Sequence, residues 1–332
     1  MSSFTLKPVI KSLLVNPPPP AVWKNLFLYK LFPNSIEVKH TPISLVVYTT
    51  KRCNFKCEFC FTYDDLNKPD WKSFELTPEN FKQILDSKFG RQSLRIGFLG
   101  GEPFLNPHLF DFLAEAHRRG KITTIVSNVS LIDEAMRQKL QKIFPTMLGL
   151  SWYENNQDSL FFVSKWLSEN KKNFWVQAVL SADQIHTLSE KIHLAHQHKI
   201  KNLIFSNYNP NYSGQENKVI YDNNLEFAQA GQDAHKLAKS LRINLTLPQP
   251  IQKIPLKRSC QMPFSYVHLD SKGTMGACCF RAPNKKYGTI FETNDWNLPA
   301  HQELRNTFLK PETEPLKECR NCENFNRDLY GL

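Results

Sequence analysis

The eight cysteines, and where they fall, constrain this chain more than any other feature. Cys53, Cys57 and Cys60 lie together near the start. Cys260, Cys278, Cys279, Cys319 and Cys322 lie near the end, and none falls between Cys60 and Cys260. The amino terminus shows no signal-peptide order of charge, apolar core and small-residue cleavage site, so a cytoplasmic location is expected. Disulfides are rare in that compartment. Closely spaced cysteines in such a chain read as metal or cluster ligands, and two separate sites are expected.

At 332 residues, with 41% hydrophobic and 22% charged, the chain has the balance of a globular protein with a sizeable core. No apolar run reaches the length of a membrane-spanning helix, so no integral membrane association is expected. The net charge of +11 is spread as Lys and Arg over polar helix faces. No basic stripe interleaved with aromatics is present, and no nucleic-acid partner is expected.

Residues 1–42 form an arm in which Pro17 to Pro20 break any helix begun at Lys7 to Val15. The stretch Trp23 to Phe32 is apolar around most of its circumference and reads as an arm packed over the rest of the protein. A membrane-surface or partner-docking helix is the sharper alternative. From residue 43, β-rich runs recur at Ile43–Thr50, Leu94–Leu99, Ile122–Ser127, Met147–Trp152, Trp175–Leu180 and Leu203–Ser206. Amphipathic segments separate them. One opens at Thr77-Pro78 and is stopped by Gly90; the next opens at Asn106-Pro107 and closes at Gly120; others cover 133–144, 157–169, 184–198 and 224–242. Units of ~25–30 residues are the length of a βα unit. Six of them predict an α/β fold, a partial (β/α)6 TIM-like barrel of parallel strands over 43–248. After Pro248 the chain becomes turn-rich, and residues 249–332 are expected to form a small cysteine-rich α+β domain.

Cys53-Asn-Phe-Lys-Cys57-Glu-Phe-Cys60 follows the first strand directly. In parallel α/β folds, active sites gather at that carboxyl end. The C-x3-C-x2-C spacing offers three thiolates from a tight loop. A four-iron cluster held by three cysteines keeps one iron open to a ligand. Gly100-Gly101-Glu102-Pro103 ends the second strand, where two glycines let a ligand approach the backbone and Glu102 can accept from an ammonium group. A structural zinc site with His40 or His108 as fourth ligand is the alternative for the three cysteines, and it leaves the glycine segment unexplained.

These two motifs, in this order and each at a strand end, resemble the signatures of the radical S-adenosylmethionine (SAM) superfamily. The aromatic Phe59 just before the third cysteine and a GGEP segment at Gly100 to Pro103 both match. The resemblance implies a SAM-binding [4Fe-4S] cluster on Cys53, Cys57 and Cys60. It implies SAM contacts from Phe59, Gly100, Gly101 and Glu102, with Glu102 on the ammonium of the methionine moiety. Ser127-Asn128 at the third strand end resembles a further SAM contact, but Val129 replaces the glycine usual there. Ser151 sits where many relatives place a serine near SAM's carboxylate. Relatives often continue with Asp-Gly, and this chain reads Trp152-Tyr153.

In the second site, Asp270-Ser-Lys-Gly273 reads as a hairpin turn between Tyr266–Leu269 and Thr274–Cys278. The hairpin would bring Cys260 near Cys278, and the terminal C-x2-C of Cys319 and Cys322 would close the cage. Spacing alone suits zinc or a cluster equally. The run is similar to the shortened "twitch" form of the SPASM auxiliary-cluster domain, which implies one auxiliary [4Fe-4S] cluster on Cys260, Cys278, Cys319 and Cys322. Cys279 is left over, as a buried neighbour or alternative ligand, or as a hydrogen-atom donor. The resemblance implies an enzyme that reductively cleaves SAM to a 5′-deoxyadenosyl radical. That radical would take hydrogen from a peptide or small-molecule substrate for oxidation, crosslinking or rearrangement. An electron donor such as flavodoxin or ferredoxin is expected. A non-catalytic iron–sulfur or zinc-binding protein is the competing reading.

Overall fold

The computed structural model describes residues 3–60, 70–210, 214–251, 259–278 and 283–310, together with 313, 319, 322 and 326–327. Two helices, α1 (Ser3–Val15) and α2 (Pro20–Leu31), form the arm, and the break between them falls at the proline run. Strand β1 (Ser44–Tyr48) then leads through the cysteine loop to α3 (Pro78–Asp86) and α4 (Lys88–Gln92). Alternation follows: β2 (Arg95–Leu99), α5 (Leu109–Arg118), β3 (Ile122–Ser127), α6 (Glu134–Lys142), β4 (Met147–Trp152), α7 (Gln157–Glu169), β5 (Phe174–Leu180), α8 (Leu188–Gln197), β6 (Asn202–Asn207), α9 (Leu225–Ser240) and β7 (Asn244–Thr246). After it come β8 (Ser259–Cys260), α10 (Met262–Ser265), β9 (Tyr266–Leu269), β10 (Met275–Gly276), α11 (Pro299–Leu309) and β11 (Asn326–Arg327).

The six expected strands are present and pair in parallel, in chain order, with β7 added at one edge. The α/β, mostly parallel partial barrel is therefore as the sequence reads. At the other edge the Asp270 hairpin forms as expected. Asp270 Oδ1 accepts from the backbone N–H of Lys272 (2.9 Å) and Thr274 (2.8 Å), and Gly273 takes the left-handed conformation at φ 74°. This hairpin does not build a sheet of its own. Strand β9 pairs in parallel with β1, and β10 lies antiparallel outside it. The hairpin thereby covers the open edge of β1, which would otherwise present unpaired backbone groups.

One face of the sheet is packed on helices and the other lines the barrel interior. In β5, Phe174, Val176, Ala178 and Leu180 are buried while Trp175 and Gln177 are half-buried. β6 alternates in the same way. On the helix side, Phe81, Phe98 and Phe112 meet with centroids 5.0–6.3 Å apart. Each such ring contributes about 1.5–3 kcal/mol by leaving water. On the interior side, Gly149 makes room for the indole of Trp175, since a Cβ there would stand 2.4 Å from its ring.

The first helix after the cysteine loop differs from expectation. Thr77 caps it, accepting from Asn80 N–H at 3.2 Å, but it ends at Asp86 rather than running to Gly90. Ser87 turns extended and caps the short α4, its Oγ accepting from Gly90 N–H. Local serine capping competes with helix continuation and wins here. Gly90 is a close-packing position instead of a stop, because its Cβ would meet Ile84 O at 2.0 Å. Asn106 does not cap α5 directly either. Its amide donates to Thr49 O (2.8 Å) and Leu76 O (3.1 Å), tying this turn to the end of β1.

Candidate active site

The cysteine loop is held down by the end of β2. Gly101 N–H donates to Thr50 O and Glu102 N–H donates to Arg52 O, each at 2.8 Å. A Cβ on Gly101 would stand 2.0 Å from Arg52 O and 3.0 Å from Cys53 Cβ; one on Gly100, at φ 142°, would stand 2.4 Å from Thr50 O. Both glycines are thus spent on the loop itself as well as on leaving its surface open. Thr50 and Arg52 brace the base: Glu75 accepts from Thr50 Oγ1 at 2.7 Å and from Arg52 Nη2 at 2.6 Å. Asn54 ties the loop to the end of β3, accepting from Asn128 Nδ2 (2.9 Å) and donating to Ser130 Oγ (2.7 Å).

Cys53, Cys57 and Cys60 are half-buried on this loop, where Cys60 N–H donates to Cys57 O at 3.1 Å. Burial pushes the Cys57 thiol up to about 11, and the charge of Cys60 adds to the rise. Burial also raises Cys53, with Glu102 and Cys60 contributing. Thiols crowded so that each opposes its neighbour's ionisation suit a cationic occupant, which would displace their protons. Among the described residues no three His, Cys, Asp or Glu side chains converge on one point as a single metal ion demands. A cubane instead spreads its thiolates over separate irons.

Glu102 is the second telling feature. It is 1% exposed, and its carboxylate accepts from Ser127 Oγ (2.9 Å), Asn128 N–H (2.8 Å) and Phe104 N–H (3.2 Å). Burial nevertheless pushes its pKa up to about 7, because no cation is paired with it among the described residues. Three donors leave part of the carboxylate's acceptor capacity free. A buried carboxylate beside a cluster loop, lacking a positive partner, fits the ammonium of an amino-acid ligand.

The sequence-identified serines take defined roles. Ser127 donates to Glu102 and accepts from Val129 N–H at 2.9 Å. Val129, standing where a glycine is usual, is 1% exposed and holds φ at 60°, the left-handed region that a β-branched side chain rarely enters. Ser151 is buried near the carboxyl end of β4, and its side chain and the Cys57 thiol both lie beside the Tyr153 hydroxyl. Phe59 stacks on Tyr153 at 5.8 Å and meets Tyr208 edge-on at 6.2 Å; Phe55 meets Tyr153 from another side at 5.7 Å. Tyr153, Tyr208 and Asn156 were not singled out by sequence. Asn156 fixes the strand end, donating to Ser151 O (2.8 Å) and Asn128 O (2.7 Å) and accepting from Tyr153 N–H. The signal that would have found the tyrosines is their position just past the carboxyl ends of β4 and β6.

Glu154 accepts from Gln184 at an exposed position, and Asp158 lies in the first turn of α7. His198 stacks on Phe161 at 3.8 Å. At the second site Cys260 and Cys278 pack on one cluster with Val46, Met262 and Tyr266. Strand β11 pairs with β8, placing Arg327 opposite Cys260, and Cys322 N–H donates to Cys319 O at 3.3 Å. All four thiols are half-buried. Cys279 lies outside the described residues.

Against this geometry, a sequence profile of the Radical SAM superfamily matches residues 47–213, from β1 past β6. The chain belongs to the radical SAM superfamily, a family of enzymes. A PqqA peptide cyclase from Granulibacter bethesdensis is 30% identical over 113 residues, 34% of this chain and 29% of that one. The tungsten-containing aldehyde ferredoxin oxidoreductase cofactor-modifying protein of Pyrococcus furiosus is 23% identical over 239 residues, 65% of each chain. The matches thus span less than two thirds of these relatives. Among solved structures, Streptococcus suis SuiB bound to its precursor peptide SuiA superposes with a TM-score of 0.65 at 17% identity, covering 91% of this chain and 73% of that one. This likeness shows a shared fold over most of the chain. No helix of the described residues is long and apolar enough to cross a membrane.

Proposed function

We propose that this enzyme uses Cys53, Cys57 and Cys60 to hold a [4Fe-4S] cluster and binds SAM against Glu102, Phe59, Gly100, Gly101, Ser127 and Ser151, to abstract hydrogen from a peptide substrate. The observation that carries the reading is the uncompensated Glu102 carboxylate, buried beside a three-thiol loop clamped by Gly101. When bound, the cluster and SAM supply a one-electron reductive cleavage that yields a 5′-deoxyadenosyl radical. The chain's own part is positional. Glu102 receives the ammonium, with Ser127, Asn128 and Phe104 fixing its orientation. Phe59 and its tyrosine neighbours wall the site and keep water from a reactive intermediate.

The half-buried interior face of β5 and β6, with Trp175, Gln177, Ile204 and Ser206, is the surface a substrate would meet. A peptide is favoured because peptide-modifying proteins recur among the relatives: the name of one and the bound precursor of another both specify a peptide. Cys260, Cys278, Cys319 and Cys322 are proposed to hold one auxiliary [4Fe-4S] cluster in a small domain over 249–332. The β8–β11 pairing, which returns the chain's last cysteines toward Cys260, supports this. Its role would be to take an electron from the substrate radical that hydrogen abstraction leaves, completing a two-electron oxidation, with flavodoxin or ferredoxin supplying the first site. Anaerobic reconstitution with iron and sulfide, followed by addition of SAM and a strong reductant, tests the reading. Release of 5′-deoxyadenosine and about eight irons per chain are expected. Four irons with one zinc would overturn the auxiliary assignment, and intact SAM would overturn the whole.

A further inference from the structure

We propose that the outward face of α1 and α2 docks this enzyme on an anionic phospholipid bilayer. The arm has two unlike faces. Inward, Val9 and Val22 are buried with Ile43, Leu94 and Ile122, which stand at the amino-terminal ends of the first three strands. Asn25 locks this packing, donating to Thr41 O (3.1 Å) and Gln92 O (3.2 Å) and accepting from Thr41 N–H (2.8 Å). The expected packed arm is therefore present, and it needs only one side of each helix.

Outward, the arm is conspicuously apolar. Of the eleven exposed large apolar side chains among the described residues, seven fall between Ile10 and Phe32. Trp23, Phe27 and Leu31 recur one helical turn apart along α2, at 48%, 61% and 53% exposure. Leu14 and Val15 at the end of α1 are still more exposed, at 79% and 77%. Lysines border this surface: Lys24 and Lys30 on α2, Lys7 and Lys11 on α1, all exposed. No Asp or Glu occurs before Glu37.

The charge identifies the occupant. An apolar stripe carrying Trp, Phe and Leu between lysines is the pattern of a helix lying in a bilayer interface. Beside the stripe is a cavity of about 220 Å³ lined by Lys24, Lys39 and Lys88, with Asp295 its one carboxylate. That cavity would admit a phosphate headgroup. Each lysine near an anionic surface strengthens binding about fivefold. The arm covers the sheet end opposite the cysteine loop, so docking would leave the substrate entrance facing away from the bilayer.

The test is sedimentation of the full-length protein with vesicles of phosphatidylcholine alone or mixed with phosphatidylglycerol. The wild type should bind the phosphatidylglycerol vesicles, less so as salt rises, and bind pure phosphatidylcholine at least about tenfold more weakly. The double variant Phe27→Glu/Leu31→Glu, and separately Lys24→Glu/Lys30→Glu, should lose about tenfold or more while keeping the wild-type unfolding midpoint. Equal binding to both vesicle types, or variants that bind like the wild type, would overturn the proposal. So would a wild-type dimer that Phe27→Glu/Leu31→Glu dissociates, which would assign the stripe to a second copy. Should a variant misfold, the salt titration of the wild type decides: salt-independent partitioning contradicts the charge argument. None of these outcomes bears on SAM cleavage, so the two readings fail separately.

Discussion

Replacing Gly101 with alanine should disable the first cluster site without touching a thiol. The alanine Cβ would stand 2.0 Å from Arg52 O and 2.5 Å from Arg52 C, where ordinary contact begins near 3.4 Å. Both atoms are backbone, so relief requires the cysteine loop to move by about 1 Å or more away from β2. That movement breaks the two 2.8 Å bonds from Gly101 N–H and Glu102 N–H to Thr50 O and Arg52 O. Losing two buried backbone bonds costs about 2–4 kcal/mol, which lowers the unfolding midpoint by roughly 3–6 °C in a chain of this size. Cys53 follows directly after Arg52, so the same shift displaces the first ligand. Iron and sulfide counted after anaerobic reconstitution should fall by about four per chain. Gly231→Ala is the control, since on α9 its Cβ would meet only Leu247 Cδ1 at 3.3 Å. It should load iron like the wild type. Full iron loading and an unshifted midpoint in Gly101→Ala would refute the clamp.

Four further outcomes follow from the site. Glu102, whose pKa burial raises to about 7, favours the folded state fully below its unfolded value near 4.5 and loses that contribution as pH rises toward 7. The cluster-free protein should therefore be less stable at pH 8 than Glu102→Gln is relative to their gap at pH 4. SAM binding, by supplying the missing cation, should release a proton near pH 6.5 in calorimetry across buffers, and Glu102→Gln should abolish that release. Val129→Gly should change stability by less than about 1 kcal/mol in thermal unfolding, because relief of strain at φ 60° offsets the lost burial of the side chain; a loss above about 3 kcal/mol would contradict this. Tyr153→Phe removes the hydroxyl that lies beside the Cys57 sulfur, and should lower the potential of the reconstituted cluster by roughly 20–60 mV in an EPR-monitored titration. An unchanged potential would mean that the hydroxyl turns elsewhere once the cluster is bound.

Much of this architecture was legible because its signals are local and periodic. Ile122–Ser127 and Met147–Trp152 coincide with β3 and β4, and 157–169 with α7, since each is an uninterrupted apolar or amphipathic run with turn residues at both ends. What was not legible depends on contacts distant in sequence. The pairing of β9 with β1 joins residues more than two hundred positions apart, and no periodicity announces it. The stop at Ser87 was missed because a serine cap competes with a glycine signal three residues later. In the site, the cysteine spacing and Gly100-Gly101-Glu102 carried chemical meaning on their own. Tyr153 did not, because a tyrosine next to a buried tryptophan reads as core; only the fold brings it onto Phe59 and Cys57. The lack of a cation beside Glu102 is likewise a three-dimensional fact, set by what β2 and β3 place around its carboxylate.

EPR spectroscopy of anaerobically reconstituted, dithionite-reduced protein, recorded with and without SAM, tests the central claim most directly. A reduced four-iron signal whose g values shift when SAM is added is predicted, with that SAM-sensitive signal missing when Cys53, Cys57 and Cys60 are replaced by alanine. Spectra indifferent to SAM, or a shift that persists in the triple variant, would contradict it.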